Sequence, residues 1–562
     1  MDNKSSSKHQ FTRREFIELS GLSSIALLLA PDSLSAKDTD KSNRSFSQVA
    51  FQSTYMPVIN KCDVLIVGGG FAGVSAALEF ARAGKKVVLV ERRIYLGREM
   101  TSTYRPWINL DENTGPDNLP EALRICIDKE INQPFRDKIL FRFDKIKLSL
   151  EDALLNRGVE IIYTSHPVQL IAEKNKARGL VIGNKSGRQA ILAKMILDCT
   201  ETASVVRLTD IGFQKPRPEM SSFTRTLEFT QIEPLKTNHI DVPESLKIKG
   251  NRVFIQQGYI SNQHYYVDCP MEFPNPSFDA QDTVKREIDA WQRSIGVAKY
   301  LYEHVPEFKK AFLTASSYQL TGLYTGRMNE LAADNRANIK EAEISLACGH
   351  TIKNLSFATN YSNLWCVNEA ARLEKSVVEF LMSPQGACAI GTACSKWLLS
   401  QWGQLAAREL PETVKTAARA DMASRFTVGE QQSPQRGRAY EQVKVDNQPI
   451  PIIDRADILV AGGGSSGATA AIAAAESGKK TIVLDMNPGF GGTGTFSGVQ
   501  DYWGKGDYTG FVARHIKNMD EVHKYIPNYV NSYISWWDEY VTWNVQAKMY
   551  MLLREVKKAG AK

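Results

Sequence analysis

One stretch constrains this chain more than any other. Residues 63–67 read Asp63-Val64-Leu65-Ile66-Val67, a short apolar run suited to a buried parallel strand. Gly68-Gly69-Gly70-Phe71-Ala72-Gly73 follows and satisfies G-x-G-x-x-G. An Ala-rich helical stretch, residues 74–83, is stopped by Gly84, and a second β-rich run, 86–90, ends at Glu91. Each piece has a task. Gly68 permits the tight turn out of the strand, Gly70 lets the backbone approach a pyrophosphate, and Gly73 lets helix and strand pack closely. The helix opens around Phe71 and Ala72, where unpaired N–H groups and the positive end of the dipole favour an anion. Glu91 stands at the end of the second strand, where a carboxylate accepts hydrogen bonds from an adenosine ribose. Strand, glycines, helix, strand and acid arrive in order, which predicts a dinucleotide-binding βαβ unit.

The rest of the chain sets bounds. At 562 residues it is too long for one hydrophobic core, and two to four domains are expected. Lys and Arg outnumber the acids by only +7 and are spread along the chain, which gives nucleic-acid binding no support. No apolar stretch reaches the ~18 residues of a stable membrane span. None of the eight cysteines forms a CxxC pair, so zinc and thioredoxin-like chemistry find no ligand pattern and no metal site is expected. Cys62 and Cys199 fall in apolar runs and read as buried residues.

The N-terminus reads as an address. Thr12-Arg13-Arg14-Glu15-Phe16-Ile17 precedes a moderately apolar run and then Ser33-Leu34-Ser35-Ala36, spaced for cleavage. This resembles the twin-arginine export signal, whose machinery carries folded proteins out of the cytoplasm, and implies a periplasmic or extracellular protein. The signal is placed at 1–36 and a flexible leader at 37–61.

Four places, the βαβ unit first among them, resemble the FAD-dependent oxidoreductases of the glutathione-reductase-like superfamily. They are residues 63–91, then Leu96-Gly97-Arg98-Glu99-Met100-Thr101, then 159–171 with 193–200, and Gly386-Ala387-Cys388-Ala389-Ile390-Gly391-Thr392-Ala393. The resemblance implies FAD held by Gly68, Gly70, Phe71, Ala72, Gly73, Glu91, Arg92 and Arg98. It implies backbone groups of Val168 at the adenine, Thr200 near the pyrophosphate, and the 386–393 helix start facing the flavin. The family usually has Gly where this chain has Glu201, and a carboxylate there repels a pyrophosphate unless it points away. The implied fold is α/β. It comprises a Rossmann-like FAD domain (62–205 and 341–426), an inserted α+β substrate domain (206–340), a linker (427–455) and a truncated second Rossmann-like unit (456–562).

Within 206–340, strands are expected at 223–229, 252–257 and 264–267, and a helix at 283–305. A flavin enzyme commonly needs a cation for developing negative charge and a general acid or base. Arg327, His264 and His350 are the candidates, with Arg105 and Arg225 behind them. For each, a structural role in an ion pair or a satisfied core position is the competing reading.

Residues 457–485 repeat 63–91 without a gap, with twelve of 29 positions identical. Gly462, Gly464 and Gly467 take the glycine positions and Asp485 takes that of the acid. The loop Gly489-Phe490-Gly491-Gly492-Thr493-Gly494-Thr495 matches the post-acid segment, and 549–560 resemble 147–158. A fragment of a longer tandem protein, a shortened copy, and two halves of one site in an oligomer all account for a copy without its third-strand region. The function expected is hydride transfer between a small organic substrate and FAD. The alternatives are a flavin protein with lyase-like, hydratase-like or no activity, and an NAD-dependent dehydrogenase.

Overall fold

The computed structural model describes residues 48–49, 54–110, 118–131, 137–214, 220–274, 280–323, 326–331, 340–346, 351–415, 441–446, 450–502, 508–527 and 541–562. The export signal, His350 and residues 427–440 of the expected linker lie outside them. A short antiparallel ladder, Gln48–Val49 against Ile450–Pro451, belongs to a small unit of its own. All that follows belongs to the larger unit.

The main sheet is built on β1 (Thr54–Val67), followed by α1 (Phe71–Arg82) and β2 (Val87–Val90). The helix α2 (Phe143–Leu155) leads to β3 (Glu160–Ile162). A meander of β4 (His166–Glu173), β5 (Lys176–Asn184) and β6 (Gly187–Asp198) comes next. β3, β2, β1 and β6 lie side by side and parallel, with Val64 opposite Val87 on one side and Met195 on the other. Much later in the chain, β11 (Leu364–Cys366) adds a parallel strand on β6, Leu364 opposite Ile196. The centre is apolar on both faces. Val64, Leu65, Ile66, Val88 and Leu89 are fully buried, and burial of such side chains contributes about 1.5–3 kcal/mol each. The helix α4 (Pro384–Ser400) crosses α1 so closely that a Cβ on Gly391 would stand 2.2 Å from the Ala72 carbonyl oxygen.

A second, antiparallel sheet carries β7 (Met220–Thr230), β8 (Arg252–Gln257), β9 (Tyr265–Pro274) and β10 (Phe312–Ser316). β9 lies between β7 and β8, and β10 flanks β7. The helix α3 (Ala280–His304) packs its Ala290, Trp291, Ile295, Ala298 and Leu301 into the core of this sheet. Periodicity predicts β7, β8, β9 and the helix of the middle segment; β10 is an added strand it does not predict.

The repeated segment folds as β13 (Ile458–Ala461), α5 (Ser465–Glu476) and β14 (Thr481–Leu484), with β13 and β14 parallel as β1 and β2 are. Two further helices follow, α6 (Gly510–His523) and α7 (Val545–Ala559). They share a core with the second sheet: Met519, Val522, Trp543, Ala547, Met551, Leu552 and Leu553 pack with Phe229, Leu313 and Trp291. Asn544, which caps α7, also donates its Nδ2 hydrogen to the Leu313 carbonyl at 3.0 Å. The outer strands stay uncovered. Leu459 is 61% exposed and Leu484 52%, whereas their counterparts Leu65 and Val90 are buried in one cluster with Leu170, Leu180 and Ile191.

Two boundaries differ from expectation. β1 begins at Thr54, inside the expected leader, because Met56 and Val58 alternate inward. β12 (Glu441–Val445) lies inside the expected linker and pairs antiparallel with residues 54–57, burying Val443 and Val445. In both places a short apolar alternation, diluted by polar residues such as Lys, Asn and Gln, forms an added strand.

Candidate functional site

The turn between β1 and α1 is as tight as its glycines require. Gly68 has φ +107°, and a Cβ there would meet the Cys199 carbonyl oxygen at 2.5 Å. A Cβ at Gly73 would meet the Gly68 carbonyl oxygen at 1.9 Å, so helix and strand cannot separate to admit one. Phe71 and Ala72 turn their side chains into the core, which leaves their backbone as what they present at the helix start. Gly70, by contrast, has φ −69° and ψ 177°, an ordinary extended conformation. Its lack of a Cβ is needed for space, not for backbone geometry.

Glu91, 2% exposed, accepts from the Gly69 N–H at 2.5 Å and from the Arg93 N–H and Nη1 at 2.8 Å. Its carboxylate thereby ties the glycine turn to the end of β2. Around it lies a cluster of charges. Glu201 accepts from Arg92 Nη2 at 2.5 Å and from Arg93 Nη2, with Arg98 Nε at 3.8 Å. Burial works against the charge on Glu201, but Arg92, Arg93 and Arg98 outweigh it and hold the carboxyl well below its ordinary range. The residue that looked repulsive to a phosphate is thus the hub of an arginine cluster. Glu369, on the turn after β11, lies 3.9 Å from Arg98 Nη1, and burial pushes its carboxyl up to about 7 against the pull of Arg98. Arg98 is itself buried, and its Nε has no hydrogen-bond partner among the described residues.

Two implied contacts have distinct settings. The ladder between β4 and β5 shifts register between Pro167 and Gln169, which leaves Val168 without a partner across the ladder and 39% exposed. Thr200 has its hydroxyl engaged: it donates to Asp198 Oδ1 at 2.7 Å and accepts from the Ser204 N–H at 2.7 Å. Asp198 also accepts from the Val205 and Val206 N–H groups, so the 198–206 turn is organised by that buried carboxyl.

From Glu99 a cleft of about 1410 Å³ extends past Arg105 and Trp107 to Ser383, Pro384 and Gln385 at the start of α4. This exceeds the ~300–1,000 Å³ of ordinary small-molecule pockets. Ser383 caps α4 by accepting from the Gly386 N–H at 3.0 Å, and a Cβ on Gly386 would meet the Phe380 carbonyl oxygen at 2.0 Å. The 386–393 segment is therefore a helix start that borders the cleft and grips α1.

The polar candidates of the middle segment are placed elsewhere. His264 is fully buried; its Nε2 lies 2.9 Å from Glu228, its Nδ1 accepts from the Ile260 N–H, and Tyr259 and Tyr266 meet its ring edge-on. Arg327 is exposed and faces Glu330 at 3.2 Å. Arg225 donates to Ser316, Ser317 and Glu287 inside the second sheet. None of these three lines the cleft, and His350 lies outside the described residues. Arg105 does line it, paired with Asp268 at 3.1 Å. Sequence reasoning missed Arg93, Glu99 and Glu369. A signal for Glu99 existed: where the first repeat has Arg98-Glu99, the second has Gly492-Thr493.

The second repeat reproduces the turn. Gly462 has φ +101°, a Cβ on Gly467 would meet the Gly462 carbonyl oxygen at 1.7 Å, and Asp485 accepts from the Gly463 N–H at 2.5 Å. The loop after its acid folds back so that Gly492 approaches Gly464.

A family model described as FAD dependent oxidoreductase matches residues 63–325 and again 457–546. A nicotine dehydrogenase of Pseudomonas putida (strain DSM 28022 / S16) is 38% identical over 107 residues, 18% of this chain and 20% of that protein. The match thus spans about a fifth of the length of this relative. Among solved structures, a geranylgeranyl bacteriochlorophyll reductase-like protein of Thermoplasma acidophilum covers 61% of this chain and 79% of its own, at 15% identity and a TM-score of 0.40. A flavin-dependent brominase covers 61% and 80%, at 14% identity and a TM-score of 0.38. With well over half its length in the two matched segments, the chain belongs to the FAD dependent oxidoreductase family, and FAD is its cofactor.

Proposed function

We propose that the first repeat holds FAD for hydride exchange with a small organic substrate that enters the cleft. The observation that carries this reading is the cradle at 68–73. It is a turn that three missing side chains keep open, at the start of a twelve-residue helix. The chain's groups fit the cofactor. The α1 amides and Arg98, whose Nε makes no hydrogen bond among the described residues, suit the pyrophosphate, Glu91 suits the ribose, and the skipped Val168 backbone suits the adenine. When bound, the flavin supplies the redox chemistry; the chain supplies orientation, charge and shelter from water. Arg105, Lys396 and the start of α4 offer positive charge in the cleft.

Gly70→Val tests this with little risk to the fold, since the backbone at 70 is ordinary and the nearest atoms are those of the Glu99 side chain. The wild-type protein is expected to be yellow and to bleach anaerobically with a reducing substrate. The variant is expected to be colourless with unchanged far-UV circular dichroism. A variant that keeps its full flavin overturns the placement. A wild-type protein that stays yellow with every donor favours the non-redox alternative.

Two further readings belong here. Export by the twin-arginine route is supported by Arg13-Arg14 and the apolar run after them. Replacing both arginines with lysine is expected to hold the protein in the cytoplasm on cell fractionation, and unchanged export would refute the reading. The second repeat is read as a partial FAD-binding unit, supported by its matching turn. A flavin-to-protein ratio above one in the full chain would favour a second occupied site.

A further inference from the structure

The N-terminus of α1 already carries an anion. Glu99 Oε2 accepts from the Phe71 N–H at 3.0 Å. A Cβ built on Gly70 would stand 2.5 Å from Glu99 Oε1 and 3.1 Å from Oε2. The space that the absent side chain of Gly70 leaves is therefore filled by a carboxylate of the same chain. Its backbone is well fixed. Glu99 lies on the single turn Arg98–Thr101, entered through left-handed Gly97, and the Thr101 hydroxyl bonds back to the Leu96 and Gly97 carbonyls. Side-chain torsions alone decide where the carboxylate goes, and the cleft that Glu99 borders gives it room to turn.

The second repeat provides the comparison within one molecule. Thr493 stands at the position of Glu99, and a Cβ on Gly464, the counterpart of Gly70, meets nothing within 4 Å. The same turn, with closely similar φ at its first glycine (+107° at Gly68, +101° at Gly462), carries no carboxylate where no glutamate follows, and the backbone of Gly492 lies beside Gly464 instead. A carboxylate and a pyrophosphate cannot share one set of amides, and their charges repel. A helix N-terminus stabilises whichever anion occupies it.

We propose that Glu99 is a built-in competitor for the pyrophosphate seat, bound to the α1 amides in the cofactor-free chain and turned into the cleft when FAD enters. The inference rests on the placement of the pyrophosphate at α1 argued above. It makes cofactor affinity a difference between two anions on one helix end, and so makes FAD more exchangeable than the glycine cradle alone implies. Buried Arg98 keeps Glu201 at 3.8 Å and Glu369 at 3.9 Å whichever anion holds the helix end.

The test uses full-length apoprotein, wild type, Glu99→Gln and Glu99→Ala. Each is titrated with FAD by flavin fluorescence and, separately, with ADP by calorimetry. ADP carries the pyrophosphate without the flavin. Both variants are expected to bind both ligands about 5- to 10-fold more tightly than wild type, the effect of removing one competing charge from a helix end. Equal or weaker binding by both variants, with thermal unfolding no lower than wild type, overturns the competitor role while leaving the pyrophosphate placement intact. Absence of FAD and ADP binding in all three proteins overturns the placement itself.

Discussion

Trp543→Ala is expected to loosen a sheet whose strands lie more than two hundred residues earlier. Trp543 is 2% exposed, donates its Nε1 hydrogen to the Gly494 carbonyl at 2.8 Å and carries Lys548 Nζ over its ring. It sits in the core that α6 and α7 share with β7, β10 and α3. Truncating so large a buried side chain leaves a cavity and costs about 3–5 kcal/mol. The expected readout is a fall in the denaturant midpoint together with lost amide-exchange protection at Leu313 and its neighbours in β10. Trp543→Phe, which keeps most of the bulk and loses one hydrogen bond, is expected to cost nearer 1 kcal/mol. Unchanged protection in β10 after Trp543→Ala would mean that the repeat and the sheet are stable independently, contrary to the shared core.

Glu201→Gln is expected to be as damaging for a different reason. It removes the one negative charge that Arg92, Arg93 and Arg98 all face. Arg93 and Arg98 are buried, so their charges stay in the protein without a counter-charge of equal reach, at a cost of about 3–5 kcal/mol. The pH dependence gives a second readout. Glu201 has a carboxyl pKa held below that of an unfolded glutamate. Its contribution is fully present above the unfolded pKa and is lost as pH falls through the depressed folded one. Wild type should therefore lose stability on acidification through the acid range more steeply than Glu201→Gln. Parallel acid profiles for the two proteins would refute the hub.

The glycine turn was legible because much of its constraint is local: Gly68 adopts a positive φ and Gly73 faces the carbonyl of Gly68 five residues earlier, which spacing records, whereas the close approach of Gly68 to Cys199 joins parts of the chain that spacing does not link. Strands β7, β8 and β9 and helix α3 were legible through apolar periodicity, whereas β10 was not. What surrounds the cradle was harder to read. Glu201 reads as a liability when taken singly, since nothing in the sequence says that Arg92, Arg93 and Arg98 converge on it. His264 and Arg327 fit the chemical requirements of a flavin site by residue type, yet His264 is spent on Glu228 and Arg327 faces solvent. Type without position could not separate them from Arg105, which does line the cleft. The partner of the second repeat was invisible for a physical reason. The amphipathic faces of α6 and α7 announce that each must be buried, but apolar side chains are non-directional and do not say against what.

The bond from Asn544 to the Leu313 carbonyl spans 231 residues, and this has a consequence for the order of synthesis. The middle sheet leaves the ribosome with one flank of its core still unmade. Until α7 emerges, Phe229, Leu313 and Trp291 have no cover from that side, and contacts so distant along the chain form slowly. The nascent protein must therefore wait, with apolar surface open to chaperones or to its neighbours, for residues made last to finish what residues made midway began.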